Sequence, residues 1–310
     1  MIYLSTYYKE WVQCNKKDVV RDVTLAKYRM TGRWLESLEP KKDLSELSRQ
    51  DYQTIIRAYA AKHAHQTVVD FHRQIRSCLL DALDDEIITK DITRRVQLGG
   101  LKVNASVKHL EEDEAKLLMK CLEIKYQSAL NWDHFILLLI TTGIRFSEAL
   151  ALTKEDFDFE KLAINITKSY DYKKKTQKIR FQPTKNTSSI RCVSLDLKTA
   201  WILRPLIEKQ KDKMPIWPQL CGVGHPPVFN STINNRLKKR CLSANIPVIT
   251  LHGLRHTHAS VLIAKGVSIQ AVAKRLGHAN TITTQSTYIH LLKTAEKKAN
   301  EQIASILINW

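Results

Sequence analysis

No proline interrupts residues 41–182, and glycine is rare before Gly99. A chain so poor in helix breakers can run several helices before it has to turn. Apolar spacing agrees. In "VTLAKYRMTGRWLESL" (23–38), Leu25, Tyr28, Trp34, Leu35 and Leu38 recur at roughly helical intervals. Ser48 is placed to cap "RQDYQTIIRAYAAKHA", and "QTVVDFHRQIRSCLLDAL" (66–83) offers Val69, Ile75, Leu79 and Leu83 as an apolar face. Residues 1–98 therefore predict a small all-helical domain. "VQLGGLKVNASVKHL" (96–110) breaks the pattern, and Gly99-Gly100 marks residues 99–108 as a linker.

The remainder, 109–310, predicts a second domain of mixed character. A helix starts at "EEDEAKLLMKCLE", whose acidic first turn suits the helix dipole. A buried helix follows in "DHFILLLITT" and stops at Gly143. "LAINIT" (162–167), "QKIRFQPT" (177–184) and "IRCVSLD" (190–196) alternate and carry β-branched residues, which predicts a few short strands. Loop character follows Pro218, then a helix through "NSTINNRLKKRCLSAN". The last third reads as helical and ends in a tail helix over 293–310. The fold class is mainly α with a small antiparallel β-sheet.

Lysine and arginine number 49 against 31 acidic residues, a formal net charge of +18. Such a surplus favours a polyanion, nucleic acid first and an anionic membrane second, over a merely basic soluble protein. The longest apolar run, "FILLLI" at 135–140, is too short to span a bilayer, and "MIYLSTYYKEW" has no signal-peptide pattern. The six cysteines are scattered without a CxxC pair, which argues against a zinc ribbon or a disulfide scaffold. A soluble protein of a reducing, cytoplasmic compartment is expected, with no membrane partner.

"TLHGLRHTHASVLIAKG" (250–266) holds His252, His256 and His258 within seven residues. With Thr250 as N-cap, successive residues turn by about 100°. His252, Arg255 and His256 then share a face, and His258 lies roughly 120° from His252. The three histidines cannot converge on one metal. A two-histidine site of His252 and His256 stays open, but without the glutamate of an H-E-x-x-H motif or an evident third ligand. A helix start bearing histidine and arginine suits a phosphate better, since free amides, dipole and guanidinium all favour an anion.

Other segments sharpen this. "TTGIRFSEALAL" (141–152) sets Arg145 just after Gly143, "PTKNTSSIRCVSL" (183–195) sets Lys185 between two strands, and "RLGHANTITTQSTYIHLL" (275–292) holds His278 and Tyr288. In that order the set resembles the tyrosine recombinases, or phage-type integrases. Their pattern is T-G-x-R-x-x-E, a hairpin lysine, H-x-L-R-H-x-x-A, L-G-H, then a tyrosine nine or ten residues on. The spacing from His278 to Tyr288 is closest in style to integrases of Gram-positive phages and conjugative transposons.

The resemblance implies a helical core-binding domain and a mixed α+β catalytic domain forming a C-shaped clamp on duplex DNA. It implies Tyr288 as nucleophile, Arg145 and Arg255 as the phosphate clamp, and His252 as acceptor of the tyrosine proton. Lys185 would protonate the departing 5′ oxygen, and His278 would donate a hydrogen bond to the phosphate. No metal, ATP or other cofactor is expected. Lys173, Lys174, Lys175 and Lys178 are expected on the DNA backbone, Glu148 to orient an arginine or cap a helix, and His256 to serve packing or to support a site residue from behind.

The family also suggests a homo-tetramer on its recombination sites, working with accessory DNA-bending or excision factors. The tail stripe Ile303, Ile306, Leu307 and Trp310 would dock on a neighbouring protomer or pack on its own domain. Two departures stand out. "ITKDITRRV" replaces the Asn-Pro with which many relatives end the core-binding domain, and residues 1–20 do not resemble the small β-sheet arm-binding domain of many relatives. Alternatives are a type IB topoisomerase-like nicking-closing enzyme and a non-catalytic DNA-binding protein on a recombinase scaffold. A decayed scaffold would have lost some of the six site residues, and all six are present.

Overall fold

The computed structural model describes residues 2–38, 41–102, 107–124, 129–172, 180–184, 186–217, 229–282, 284–285 and 288. The chain divides into two compact units, Met1–Ala105 and Ser106–Trp310.

The first unit is helical: α1 (Leu4–Asn15), α2 (Asp22–Leu38), α3 (Arg49–Ala60) and α4 (His65–Asp84). α3 begins where the sequence puts it. Ser48 Oγ accepts from the Asp51 amide at 3.1 Å, and the Asp51 carboxylate accepts from the Ser48 amide at 3.0 Å. This reciprocal box satisfies two donors that every helix start leaves open. α4 turns a slightly different face inward than expected. Val68, Phe71, Ile75, Cys78, Leu79 and Ala82 are buried, whereas Val69 and Leu83 are only half-buried. The six buried residues pack with Tyr8, Leu35, Tyr52 and Ile55 into one apolar core. Part of the predicted linker is fixed to this unit: the Leu101 amide donates to His63 O at 2.8 Å, and His65 Nδ1 lies 2.9 Å from Gly99 O. Gly100 has φ +133°, and a Cβ there would sit 2.6 Å from the His65 backbone, so the crossing needs glycine.

The second unit is built on α6 (Trp132–Thr142), which is apolar around its circumference and buried nearly throughout. Each fully buried leucine, isoleucine or phenylalanine on it contributes about 1.5–3 kcal/mol. α6 is therefore a fixed spine, and the candidate site lies at its C-terminal end. Around it lie α5 (Glu112–Lys120), α7 (Phe146–Ala151), α8 (Leu197–Ile207), α9 (Asn230–Ser243), α10 (Leu251–Ala264) and α11 (Ile269–Leu276). Two small antiparallel sheets lie between α7 and α8. One has the order β1 (Phe157–Asp158), β2 (Ala163–Ile166), β5 (Arg191–Ser194); the other pairs β3 (Lys168–Tyr170) with β4 (Phe181–Pro183). In the first, Ile164 faces Val193, and both are buried in the core around α6. α8 has no counterpart in the expectation. Its Leu197 and Trp201 are exposed, so it lacks a clean amphipathic signature. Among the described residues, no helix is long and apolar enough to cross a membrane.

Candidate active site

α10 carries the histidine cluster. Thr250 is extended, and its Oγ1 accepts from the Gly253 amide at 3.2 Å, which fixes the helix start. One turn apart, the His252 and His256 rings meet edge to face, with centroids 4.7 Å apart. His258 turns the other way. Its Nδ1 meets Ile140 O at 2.9 Å, and its Nε2 accepts from Arg275 Nε at 2.9 Å, so its proton sits on Nδ1. The separation of His258 from the other two is what helix geometry requires. Among the described residues, no three His, Cys, Asp or Glu side chains gather as a metal site.

Two arginines converge from different elements. α6 ends at Gly143, whose φ of 68° releases the chain into Arg145 at the start of α7. Arg145 donates through Nη1 to Glu148 Oε1 at 2.6 Å and through Nη2 to Gly277 O at 2.7 Å. Arg255 donates through Nη1 to Gly143 O at 2.8 Å and through Nη2 to Leu276 O at 2.7 Å. A third guanidinium, that of Arg191, donates through Nε to Arg275 O at 2.6 Å. Three successive carbonyls at the end of α11 thus each take a different arginine. These carbonyls have no partner within the helix and lie at the negative end of its dipole, so cations suit them. Gly277 closes α11 with φ 69°, and a Cβ there would lie 3.0 Å from Arg191 Nη1. The Leu-Gly-His segment therefore contributes backbone acceptors as well as His278.

Arg145, His252 and Arg255 line one cleft of about 240 Å³, together with Tyr172, Asn230 and Asn234. Arg255 is buried at 5% exposure, and burial together with Arg145 pulls its pKa down to about 9. Desolvation and the same two arginines lower His252 as well. His278 falls to about 4, through burial first and then Arg255, Arg145 and Arg191. Its Nδ1 lies 2.6 Å from the hydroxyl of Thr284, a fully buried residue that sets the ring's orientation. The histidines beside the arginines are thus neutral at pH 7.

Tyr288 packs against Ala259, Ile263, Val272 and Leu276 at 3% exposure, and burial pushes its hydroxyl up to about 12. The hydroxyl meets not His252 but His256, whose Nδ1 is 2.8 Å away. His256 sits one turn further along α10, where Tyr288 packs, whereas His252 opens into the cleft. His256 is held down at about 4 by burial, His252 and Arg255, and so faces the tyrosine as a neutral ring.

Glu148 both caps α7 and orients an arginine, the two roles weighed for it: it accepts from the Arg145 amide at 2.9 Å as well as from the guanidinium. Burial works against its charge, and Arg191 and Arg145 more than offset this, so its pKa is lowered. Lys185 and Lys173, Lys174, Lys175 and Lys178 lie outside the described residues, as does the tail over 293–310. Sequence reasoning passed over Arg191 and Thr284. Arg191 stands in the quoted "TKNTSSIR", where an arginine six residues after the hairpin lysine was the available signal.

Residues 108–295 match the model of the phage integrase family. The chain belongs to the phage integrase family. The integrase of Staphylococcus phage L54a is 30% identical over 176 residues, covering 54% of this chain and 49% of that one. The ICEBs1 integrase of Bacillus subtilis is 24% identical over 273 residues, covering 79% and 72%. This chain therefore spans about half the length of the phage integrase and somewhat more of the second. Among solved structures, the integrase of transposon Tn1549 in complex with transposon right end DNA superposes with a TM-score of 0.77 at 17% identity, covering 98% of this chain and 100% of that one. At that identity the likeness establishes the fold alone.

Proposed function

We propose that this phage integrase family member is a site-specific DNA recombinase that cleaves and rejoins duplex DNA through a 3′-phosphotyrosyl intermediate, in the integration and excision of a mobile element. The observation that carries this is the pair Arg145 and Arg255, immobilised on one helix end and both lining a cleft with His252. Two fixed guanidiniums can neutralise the non-bridging oxygens of a phosphate as charge builds on them. Tyr288 Oη forms the new bond to phosphorus, the bond to the 5′ oxygen breaks, and Lys185 supplies the proton to that oxygen. The tyrosine proton leaves toward the histidine pair, with His256 already at the hydroxyl and His252 between it and the cleft. His278, its Nδ1 committed to Thr284, has Nε2 left to donate to the phosphate. The phosphotyrosyl ester retains the energy of the bond it replaces, so rejoining needs no nucleotide.

The net charge of +18 fits a DNA partner. Lys173, Lys174, Lys175 and Lys178 are proposed on the phosphate backbone. A tetramer on paired sites is proposed as the working form, with the stripe Ile303, Ile306, Leu307 and Trp310 docking on a neighbouring protomer.

A nicked suicide duplex drawn from the element's own ends tests the reading. The wild type should form a covalent adduct on Tyr288, and Tyr288→Phe should form none while binding the duplex nearly as well. An adduct that survives in Tyr288→Phe refutes the assignment. In the same assay, a chain ending near residue 295 should bind single sites but fail to pair them; unchanged pairing removes the tail from the scheme.

A further inference from the structure

Arg191 opens β5 and is buried, with its side chain 5% exposed, and it is not among the residues lining the cleft. It spends its donors on three elements. Nε donates to Arg275 O at 2.6 Å at the end of α11, Nη1 to Ser189 O at 2.9 Å, and Nη2 to Glu148 Oε2 at 2.9 Å. Ser189 closes the short 3-10 turn Thr187–Ser189, just after Lys185. Its hydroxyl also accepts from Arg145 at 3.3 Å. Glu148 in turn holds Arg145 by both backbone and guanidinium.

As a purely stabilising residue, Arg191 is badly placed. It buries a further positive charge beside Arg145, Arg255 and Arg275, with Glu148 the carboxylate it pairs with. A well-packed neutral side chain would avoid that desolvation and repulsion. What a neutral side chain could not do is join three separate acceptors with the planar fork of a guanidinium. Lysine, whose three donors radiate from one nitrogen, could not span them and would satisfy them only in part.

We propose that Arg191 is a positioning residue of the strand-cleavage site: it locks Glu148 and the end of α11 in register with the turn after Lys185, and thereby aims Arg145 and Arg255 at the scissile phosphate. This rests on the recombinase reading above. Without Arg191, Glu148 keeps, among the described residues, only Arg145 as a guanidinium partner, and the Arg275 carbonyl loses the Arg191 donor. Both anchors of the phosphate clamp then loosen together.

The test compares cleavage by the full chain on two suicide duplexes, one with the natural scissile phosphate and one with a methylphosphonate there. The methylphosphonate lacks the anionic oxygen, so it depends less on aimed guanidiniums. Arg191→Ala should slow cleavage of the phosphate about 100-fold, the scale of an ångström-sized misplacement, and that of the methylphosphonate by less than about tenfold. Arg191→Lys should fall between wild type and Arg191→Ala, and duplex affinity should stay within about threefold throughout. Equal losses on both substrates, or none, overturn the proposal. If Arg191→Ala does not fold, Arg191→Lys carries the comparison. Side-chain NMR of 15N-arginine protein supplies an independent reading: the Arg145 and Arg255 guanidinium signals should shift and broaden in Arg191→Lys, and unchanged signals overturn the proposal even where no cleavage is seen. A wild type that forms no Tyr288 adduct instead defeats the recombinase reading, and the NMR comparison still decides the role of Arg191.

Discussion

The second unit contains two arginine clusters, and they handle charge differently. At the start of α6, Asp133 accepts from Arg236 and Arg240, with contacts down to 2.6 Å, and Glu123 reaches both of the same arginines. Two guanidiniums meet two carboxylates. At the other end of α6, Arg145, Arg191, Arg255 and Arg275 gather around α11, with Glu148 the carboxylate paired to Arg145 and Arg191. The acceptors there are mostly backbone carbonyls. A carbonyl satisfies an N–H without cancelling its charge, so this cluster stays electropositive. A balanced cluster is complete as folded, whereas one satisfied by dipoles still has room for an anion. On the proposed reading, that difference separates a structural ion network from a phosphate site.

The contrast can be broken by a pair of substitutions. Asp133→Ala should strip two arginines of their buried partner and cost about 3–5 kcal/mol of stability, while the folded fraction keeps its cleavage rate. Arg255→Met should do the reverse: cleavage falls about 100- to 1000-fold, on the scale of losing one transition-state donor, and the unfolding temperature does not drop. Thermal unfolding alongside single-turnover cleavage of both variants reads this out. Activity loss in folded Asp133→Ala, or a stability collapse in Arg255→Met, would erase the distinction between the clusters.

A smaller effect comes from acid. Burial and neighbouring cations depress His256 and His278 to about 4 and His258 to about 3, against an ordinary 6.5. For groups whose folded pKa is lowered, the stabilisation is present above the unfolded value and is lost as pH falls toward the folded one. Stability should thus decline between pH 6.5 and about 4. The buried His258 contributes up to about 1.4 kcal/mol per pH unit, and the half-buried pair less. Asp133 and Glu123, both lowered from ordinary carboxylate values, lose their stabilisation only at more acidic pH. Denaturant melts at pH 7, 6 and 5 check this. A flat response over that range would mean the histidines are not held neutral by the fold.

The six candidate residues were legible as a set because the family pattern gives their types and order, and the α10 geometry followed from a helical repeat and the Thr250 cap. The arginines' acceptors were not legible. A carbonyl of Leu276 or Gly277 leaves no mark in a side-chain pattern, and its use depends on how α6, α10 and α11 pack. The same holds for His256, which lies 32 residues from Tyr288 and meets it only once Tyr288 packs against α10. α8 escaped because its exposed Leu197 and Trp201 blur the helical period. The four helical caps and breaks at Ser48, Thr250, Gly143 and Gly277 are local events, and the first three were read directly.

The end of α11 has one more consequence. Because Arg145 and Arg255 are tethered to adjacent carbonyls of one rigid turn, they cannot follow a phosphate that arrives out of place. A duplex slipped by one nucleotide would offer its charge to a clamp that does not reach for it. On the proposed recombinase reading, the choice of bond to cut would then be made partly by a ruler inside the protein, before any base is read.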